Sequence, residues 1–517
     1  MQVRWIVPGL LALLMSFGAQ ALTPQQARAI ATGDSDERIA AVQAALAAAD
    51  TGLAPLAQAL LDDAVKITPE QVLIVRDGQA TDAATGQPVA NVPETAEDPV
   101  NNNRIRRTLQ AALASLQLFS PDRAQRAAAI TQLRDQADEG LMPLLDKAEA
   151  VEPDAALKKQ LSLLKASVLV SAPEPDKRLA AAKLLEASDD PNTRSLLLER
   201  LATGGESDPA VRAALAKALT AVERRLSIGE WMGVLFTGAS LGSILLLVAL
   251  GLAITYGLMG VINMAHGELM MIGAYATFVV QNLFRQYLPG AFDWYVLAAI
   301  PLSFLASALV GALMERSVIR WLYGRPLETL LATWGISLVL MQAVRSLFGA
   351  QNVPVENPAW MSGGVQVMSN LTLPYNRLAI LAFAFIVLGG VALMIARTRL
   401  GLFVRGVTQN RRMASCVGVN TARVDTYAFA LGAGIAGLAG CALSQVGNVG
   451  PDLGQSYIVD SFMVVVLGGV GQLAGTVYAA LGLGVLNKLL EGWQGAVLAK
   501  IMVLVFIVVF IQKRPQG

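Results

Sequence analysis

Histidine occurs once in these 517 residues and cysteine twice. So few leave no metal-ligand spacing to compose: His266 stands alone, with neither Cys416 nor Cys441 near it in sequence. Both cysteines lie in the second half, so the first half has no possible disulfide and is held by packing alone. Charge is scarce as well, at 15% of residues against 54% hydrophobic, with a mean hydropathy of +0.51. That balance excludes an ordinary soluble protein. A net charge of +1 gives no reason to expect nucleic-acid binding. A phosphate loop is missing too: Gly468–Thr476, GGVGQLAGT, lacks a lysine after its last glycine. No nucleophile–base pair is visible either. The chain reads as no enzyme by itself, and no cofactor is expected on it.

What is present divides in two, with charged residues crowded before Arg225 and long apolar runs after it. Met1–Ala21 has Arg4, an apolar core from Trp5 to Phe17, and the small-residue site Ala19-Gln20-Ala21. It reads as a cleaved secretory signal peptide (residues 1–21), which would export the next 200 or so residues into a bacterial periplasm. Residues 22–225 show helical apolar spacing with frequent proline–aspartate breaks. They also repeat. Arg38 with Asp50–Leu56 recurs 88 positions on as Arg126 with Asp138–Leu144. Pro121-Asp122 matches Pro175-Asp176, and Asp154–Leu157 matches Asp208–Val211, both at an offset of 54. The frame Val211, Arg212, Leu215, Leu219 echoes Ile105, Arg106, Leu109, Leu113. Paired helices with a basic residue near the start of the second suggest a HEAT-like solenoid; a plain helical bundle is the alternative. Between them, Gln71–Val89 predicts a small β-hairpin around Asp77-Gly78 and Thr85-Gly86.

From Trp231 the apolar runs fall near 234–254, 264–282, 295–316, 328–347, 377–396, 425–446, 457–490 and 495–512. With residues 22–225 outside, alternation puts Arg316, Arg320 and Arg325 inside, together with Arg397, Arg399, Arg405, Arg411, Arg412 and Arg423. That obeys the positive-inside rule. Lys513 and Arg514 also belong inside, which requires an odd count, so 457–490 crosses twice with a turn near Gly468–Gly471. The expected fold class is all-α: a membrane domain of nine crossings (226–517) after a soluble helical one.

One membrane stretch is unusual. Asn263, His266 and Glu268 stand within six positions of an apolar run, where a charge costs about 2.5–3.5 kcal/mol and must face protein or water. Asn263 and His266 share a helix face, whereas Glu268 lies about 160° round from His266. Either Gly267 breaks the helix, or one of the two is structural; the group is a gate or a hydrogen-bonded tie. A turn near Gly257–Asn263 places it nearer the cytoplasmic end than the midplane. Thr333, Trp334 and Ser337 in the fourth run offer a second polar spot in a pathway, while Gly432, Gly434, Gly437 and Gly440 form a small-residue face for close helix packing.

Three stretches carry a resemblance. Gly260–Tyr275 (GVINMAHGELMMIGAY), Thr398–Asn420 and Val466–Val477 are similar, in motif and spacing, to permease subunits of the branched-chain amino acid and urea class of ABC importers. The long N-terminal extension further resembles the urea branch. The resemblance implies a second homologous permease, two cytoplasmic ATPases carrying ATP and magnesium, a periplasmic binding protein, and an inner-membrane location among lipid. It also makes Thr398–Asn420 the segment that docks in an ATPase groove. There Arg405, Gln409, Asn410, Arg411, Arg412 and Gly418 stand among Met413, Val417 and other apolar residues. The apolar ridge is expected to dominate that contact and the charges to stay at its rim, so that Arg411→Ala is mild. Urea is the expected substrate. Branched-chain amino acids or short amides are the alternative, and an ATP-independent channel or secondary transporter is the reading from another class.

Overall fold

The computed structural model describes residues 22–48, 52–76, 79–89, 92–93, 96–134, 139–202, 205–469 and 471–513. The expected signal peptide therefore lies outside the described residues, as do Asp50, Thr51 and Asp138 of the repeat and the Asp77-Gly78 turn. The chain divides into two compact units, Met1–Leu226 and Ser227–Gly517.

The first unit opens with α1 (Pro24–Ala31), α2 (Ser35–Ala47) and α3 (Leu53–Leu61). An antiparallel meander follows: β1 (Val65–Ile67), β2 (Val72–Arg76), β3 (Gln79–Asp82) and β4 (Pro88–Val89), in that order. The span of the expected hairpin, Gln71–Val89, holds β2, β3 and β4, and the flanking Val65–Ile67 adds a fourth strand. Then come α4 (Asn103–Gln117), α5 (Arg123–Leu133), α6 (Met142–Val151), α7 (Ala155–Leu169), α8 (Pro175–Leu185) and α9 (Pro191–Leu201). The start of α10 (Pro209–Met259) completes the unit.

These helices recur in threes rather than in the expected pairs: α2–α3–α4, α5–α6–α7 and α8–α9–α10. The mark of each repeat is an arginine in its first helix that reaches the chain just before its third. Arg126 Nε and Nη2 donate to Glu152 at 2.9 and 3.1 Å, while Nη1 donates to the carbonyls of Ser120 and Pro121. Arg178 repeats this with Glu206 at 2.8 and 3.0 Å and the carbonyls of Ala172 and Pro173. Each glutamate also accepts the N–H of the aspartate that caps the third helix, Asp154 or Asp208. In the first repeat Arg38 meets the Val100 carbonyl and Asn101 instead. Thus Pro121 corresponds to Pro173, at an offset of 52, and not to Pro175: the connections differ by two residues. The third helices keep one core register, with Ile105, Leu157 and Val211 buried, then Leu109, Leu161 and Leu215.

In the second unit α10 is followed by α11 (His266–Tyr287), α12 (Tyr295–Ser317) and α13 (Pro326–Phe348). A two-stranded hairpin, β5 (Gly364–Met368) and β6 (Leu371–Pro374), leads into α14 (Tyr375–Arg397). Next come the short α15 (Arg399–Gln409) and α16 (Arg411–Cys416), then α17 (Thr421–Ser444), α18 (Leu453–Gly468), α19 (Leu473–Gln494) and α20 (Ala496–Lys513). The run expected to turn at 468–471 does break there: Gly469 and Gly471 take φ of +83° and +81°, open only to glycine at low cost. Six helices among the described residues are long and apolar enough to cross a membrane. Helix α17 is the centre, buried almost throughout, with α11 and α12 packed against it. Its glycines permit this: a Cβ at Gly437 would strike Ser303 and Ser307 of α12, and one at Gly440 the backbone of α11. The outer helices turn Leu309, Leu331, Ile386 and Val497 outward, all more than half exposed.

Residues 22–226 expressed alone are expected to give a helical far-UV circular dichroism spectrum and a cooperative melt. Paired hydrogen bonds from Arg178 hold the Glu206 carboxyl below its ordinary value of 4.5. Its stabilisation is therefore complete above that value and is lost as pH falls through the lower folded one. The Tm should drop below about pH 4, the ordinary glutamate range, and Glu206→Gln should remove part of that drop. A disordered or strand-dominated spectrum would count against the repeat.

Candidate translocation site and coupling segment

The polar stretch 260–268 is shaped by a chain reversal inside the second unit. His266 Nε2 lies 3.0 Å from the Val248 carbonyl of α10, so α11 starts level with that residue. Yet α10 runs on to Met259, about 16 Å further at 1.5 Å per residue. Residues 260–265 must climb back over that length. Six extended residues span at most about 20 Å, so the connector is nearly straight and non-helical. It is also buried: Asn263 and Ala265 are fully enclosed. The expectation that the cluster sits near one end, at the turn after α10, is corrected by this climb.

A buried, irregular backbone needs partners. Thr333 Oγ1 of α13 accepts the Met264 N–H at 3.1 Å and lies 3.4 Å from the Ile262 carbonyl, and Asn263 Oδ1 accepts the Ala265 N–H at 3.0 Å. Ser337, one turn along α13, donates to Glu268 Oε1 at 3.0 Å. The two polar spots seen separately in the sequence are thus one site, with Trp334 turned outward between them. Helix α11 is unbroken at Gly267, so His266 and Glu268 do diverge: the histidine faces α10 and the glutamate faces α13. His266 is the member of the group bonded to α10. Asn263 Nδ2 and Glu268 Oε2 have no hydrogen-bond partner.

A second connector mirrors the first. After α17 ends at Ser444, residues 445–452 pass Tyr295, whose hydroxyl is 3.2 Å from Gln445 Oε1, and bridge Val449 to Val353. They end at the head of α18, where Gly454 touches Gly267 backbone to backbone; a Cβ on either would strike the other's carbonyl. From there α11 runs towards the β5–β6 end of the bundle and α18 towards Gly257, near which Gly471 lies. Two helix N-termini therefore meet head to head within the bundle, each at the end of a non-helical connector. Asp452, exposed, lies close enough to act electrostatically on Glu268 and on Tyr275. The Tyr275 hydroxyl is buried and unpartnered. Sequence reasoning missed both. Tyr275 was legible as the i+7 neighbour of Glu268 on one helix face; nothing marked Asp452.

At the other end, α15 and α16 form a bent pair over the start of α17. Thr398 caps α15, Asn410 caps α16 through the Met413 N–H at 3.0 Å, and Gly418 ends it at φ +90°. The expected apolar ridge divides. Val404 and Val407 are buried with Val424 and Ala428 of α17, whereas Leu402, Met413 and Val417 are 61%, 58% and 74% exposed. Arg405, Gln409 and Arg412 are also exposed. Arg411 is not a rim charge. It donates through both terminal nitrogens to Asp425 of α17, whose side chain is 3% exposed, and lies over the Tyr323 ring, 5.0 Å from its centroid. Tyr323 in turn donates to Glu315 at 3.1 Å, and Thr426 donates to the other oxygen of that fully buried carboxylate at 2.6 Å. The α15–α16 segment is thereby tied to α12 and α17.

Arg411→Ala strands Asp425 in the interior. Removing one partner of a buried pair costs about 3–5 kcal/mol, discounted here to about 1–3 because the guanidinium is half exposed. Arg411→Ala is therefore expected to lower the melting temperature of the purified complex and loosen ATPase retention, whereas Arg412→Ala should leave both as in the wild type. Equal behaviour of the two variants would show the inward tie to be idle.

Comparison with known proteins covers this second unit. The family model described as branched-chain amino acid transport system / permease component matches residues 234–511. The high-affinity branched-chain amino acid transport system permease protein BraD of Pseudomonas aeruginosa is 30% identical over 262 residues, 50% of this chain and 85% of the relative. The corresponding LivH proteins of Salmonella typhimurium and Escherichia coli are 28% and 27% identical over 293 residues, covering 55% of this chain and 93% of each relative. No solved structure matches the chain at a significant level. A matched region that takes in both connectors, the head-to-head helices and the α15–α16 pair leaves one conclusion: the chain belongs to the branched-chain amino acid permease family of ABC transporters, as a membrane component without catalytic activity of its own.

Proposed function

We propose that this permease carries a small amino acid or amide across a bacterial inner membrane, with the meeting point of α11 and α18 in its pathway and α15–α16 as the contact for a cytoplasmic ATPase. The family works with ATPase subunits, a binding protein and a second permease. The observation that carries the reading is the family match over 234–511, within which the head-to-head helices form the kind of broken-helix site where transporters hold solutes. The basic residues on α15–α16 and after α12 support a sidedness with that end inside and the first unit in the periplasm. Nine crossings fit this course, the two connectors each completing the traverse of the helix they precede. Alternating access then follows if nucleotide favours one arrangement of the bundle and its hydrolysis the other.

For the substrate, the relatives' names support branched-chain amino acids above urea, the substrate expected from the sequence. Urea stays as a second reading on one observation: the first unit lies outside the matched residues, as an extension of the urea branch would. Either solute presents N–H donors and an oxygen acceptor, and asks for hydrogen-bonding groups rather than a strong fixed charge.

The purified permease pair, ATPases and binding protein in proteoliposomes should take up radiolabelled leucine or urea only with ATP inside the ATPase compartment, and vanadate should stop it. Uptake of leucine with none of urea assigns the amino acid reading, and the reverse assigns urea. Uptake that persists without the ATPases would make the chain a channel or secondary transporter.

A further inference from the structure

We propose that Glu268 and Asp452, brought together where the heads of α11 and α18 touch, form the subsite that holds the N–H-bearing end of the transported solute. That end is the ammonium of an amino acid or an amide N–H2 of urea. The inference rests on the transport reading above and names the residues that would recognise the solute.

Three observations converge. The Gly267–Gly454 contact fixes Glu268 and Asp452 one and two residues from a single point, on different helices. Glu268 is 1% exposed, yet only Oε1 has a donor, from Ser337; Oε2 has none. Neither carboxylate pairs with a lysine or arginine among the described residues. A buried acceptor left empty is costly, commonly about 1–3 kcal/mol and more when charged, so such a group in a folded protein asks for a reason. Here the reason is a ligand that comes and goes.

The donor inventory says which ligand. The lone pairs of Glu268 Oε2 and of the Asp452 carboxylate call for N–H groups on the solute. The Tyr275 hydroxyl, two turns along the same face of α11, can donate or accept and has no partner either. Two helix N-termini at the same point favour an oxygen acceptor at the other end of the solute, a carboxylate or a urea carbonyl. A molecule with N–H donors at one end and oxygen at the other satisfies both demands. A hydrocarbon or a simple cation satisfies only one or neither. His266 Nε2 is engaged with the Val248 carbonyl and its ring faces α10, away from Glu268, although Nδ1 has no partner.

The structural alternative is that Glu268 merely ties α11 to α13 through Ser337. Glu268→Gln separates the two readings, since glutamine keeps its shape and can still accept from Ser337 through its carbonyl. The full complex, permease pair with ATPases and binding protein, is assayed in proteoliposomes with radiolabelled leucine in one arm and urea in the other. For whichever solute the wild type carries, Glu268→Gln and Asp452→Asn should each raise KM by at least about tenfold, the loss of one charge-assisted hydrogen bond. KM within twofold of wild type for both variants would overturn the subsite while leaving the transport reading standing. Should Glu268→Gln fail to assemble, Asp452→Asn decides alone, because its exposed side chain supports no core; an unchanged KM there overturns the inference equally. A wild-type complex that carries neither solute overturns the inference together with the reading beneath it.

Discussion

Backbone amides inside an apolar bundle have no water to turn to, and this constraint shapes the second unit. Its helices satisfy themselves; the connectors 260–265 and 445–452 do not. Each is made tolerable by partners supplied from elsewhere in the chain. The hydroxyl of Thr333 and the amide of Asn263 serve the first; in the second the Val353 backbone pairs with that of Val449, and Asn376 Nδ2 donates to the Gln445 carbonyl. Removing those partners would leave several donors and acceptors empty at depth, each costing several kcal/mol on apolar transfer scales (about 4–8). Non-helical chain is kept there because it brings two helix heads, and the acids beside them, to one point.

The two units use opposite means of fixing register. In the first, the second and third repeats are each set by a bidentate guanidinium–carboxylate pair in which the arginine also binds carbonyls and the glutamate a capping aspartate, so one arginine orders three segments. In the second, the central contacts are nearly bare backbone. Gly432, Gly437 and Gly440 bring α17 against α10, α12 and α11, and Gly267 meets Gly454. Directional bonds suit a unit whose parts keep one arrangement. Close backbone contact gives attraction without direction, which suits helices that must slide.

Much of this was readable in the residues. Helical period, the apolar runs, the break at Gly469–Gly471 and the small-residue face of α17 follow from local chemistry, which is why the all-helical fold was legible. The repeat was visible in Arg38, Arg126 and the Asp154 and Asp208 caps, but its unit of three was not. The partners of Arg126 and Arg178, Glu152 and Glu206, lie 26 and 28 residues away, and no local pattern marks them. The depth of Asn263 and Glu268 was misjudged for a related reason. A connector that climbs and one that merely turns have the same composition, and only the Val248–His266 contact tells them apart. Arg411 looked like a rim charge because Asp425, 14 positions on, reads as the ordinary start of a membrane helix.

The head of α11 is pinned on three sides: to α10 by His266, to α13 by Thr333 and Ser337, and to α12 by Ser307, which donates to the Leu269 carbonyl at 2.8 Å. The head of α18 meets it backbone to backbone at Gly454 and packs Leu453 and Tyr457 against the apolar cluster that holds Leu269 and Met270, while the ion pair on its own length, Asp460 with Lys500 at 3.7 Å, ties it to α20. The bundle thus has a seam. On one side lies a body stitched by directed bonds; on the other, a leaf held against it, among the described residues, by packing and close backbone contact.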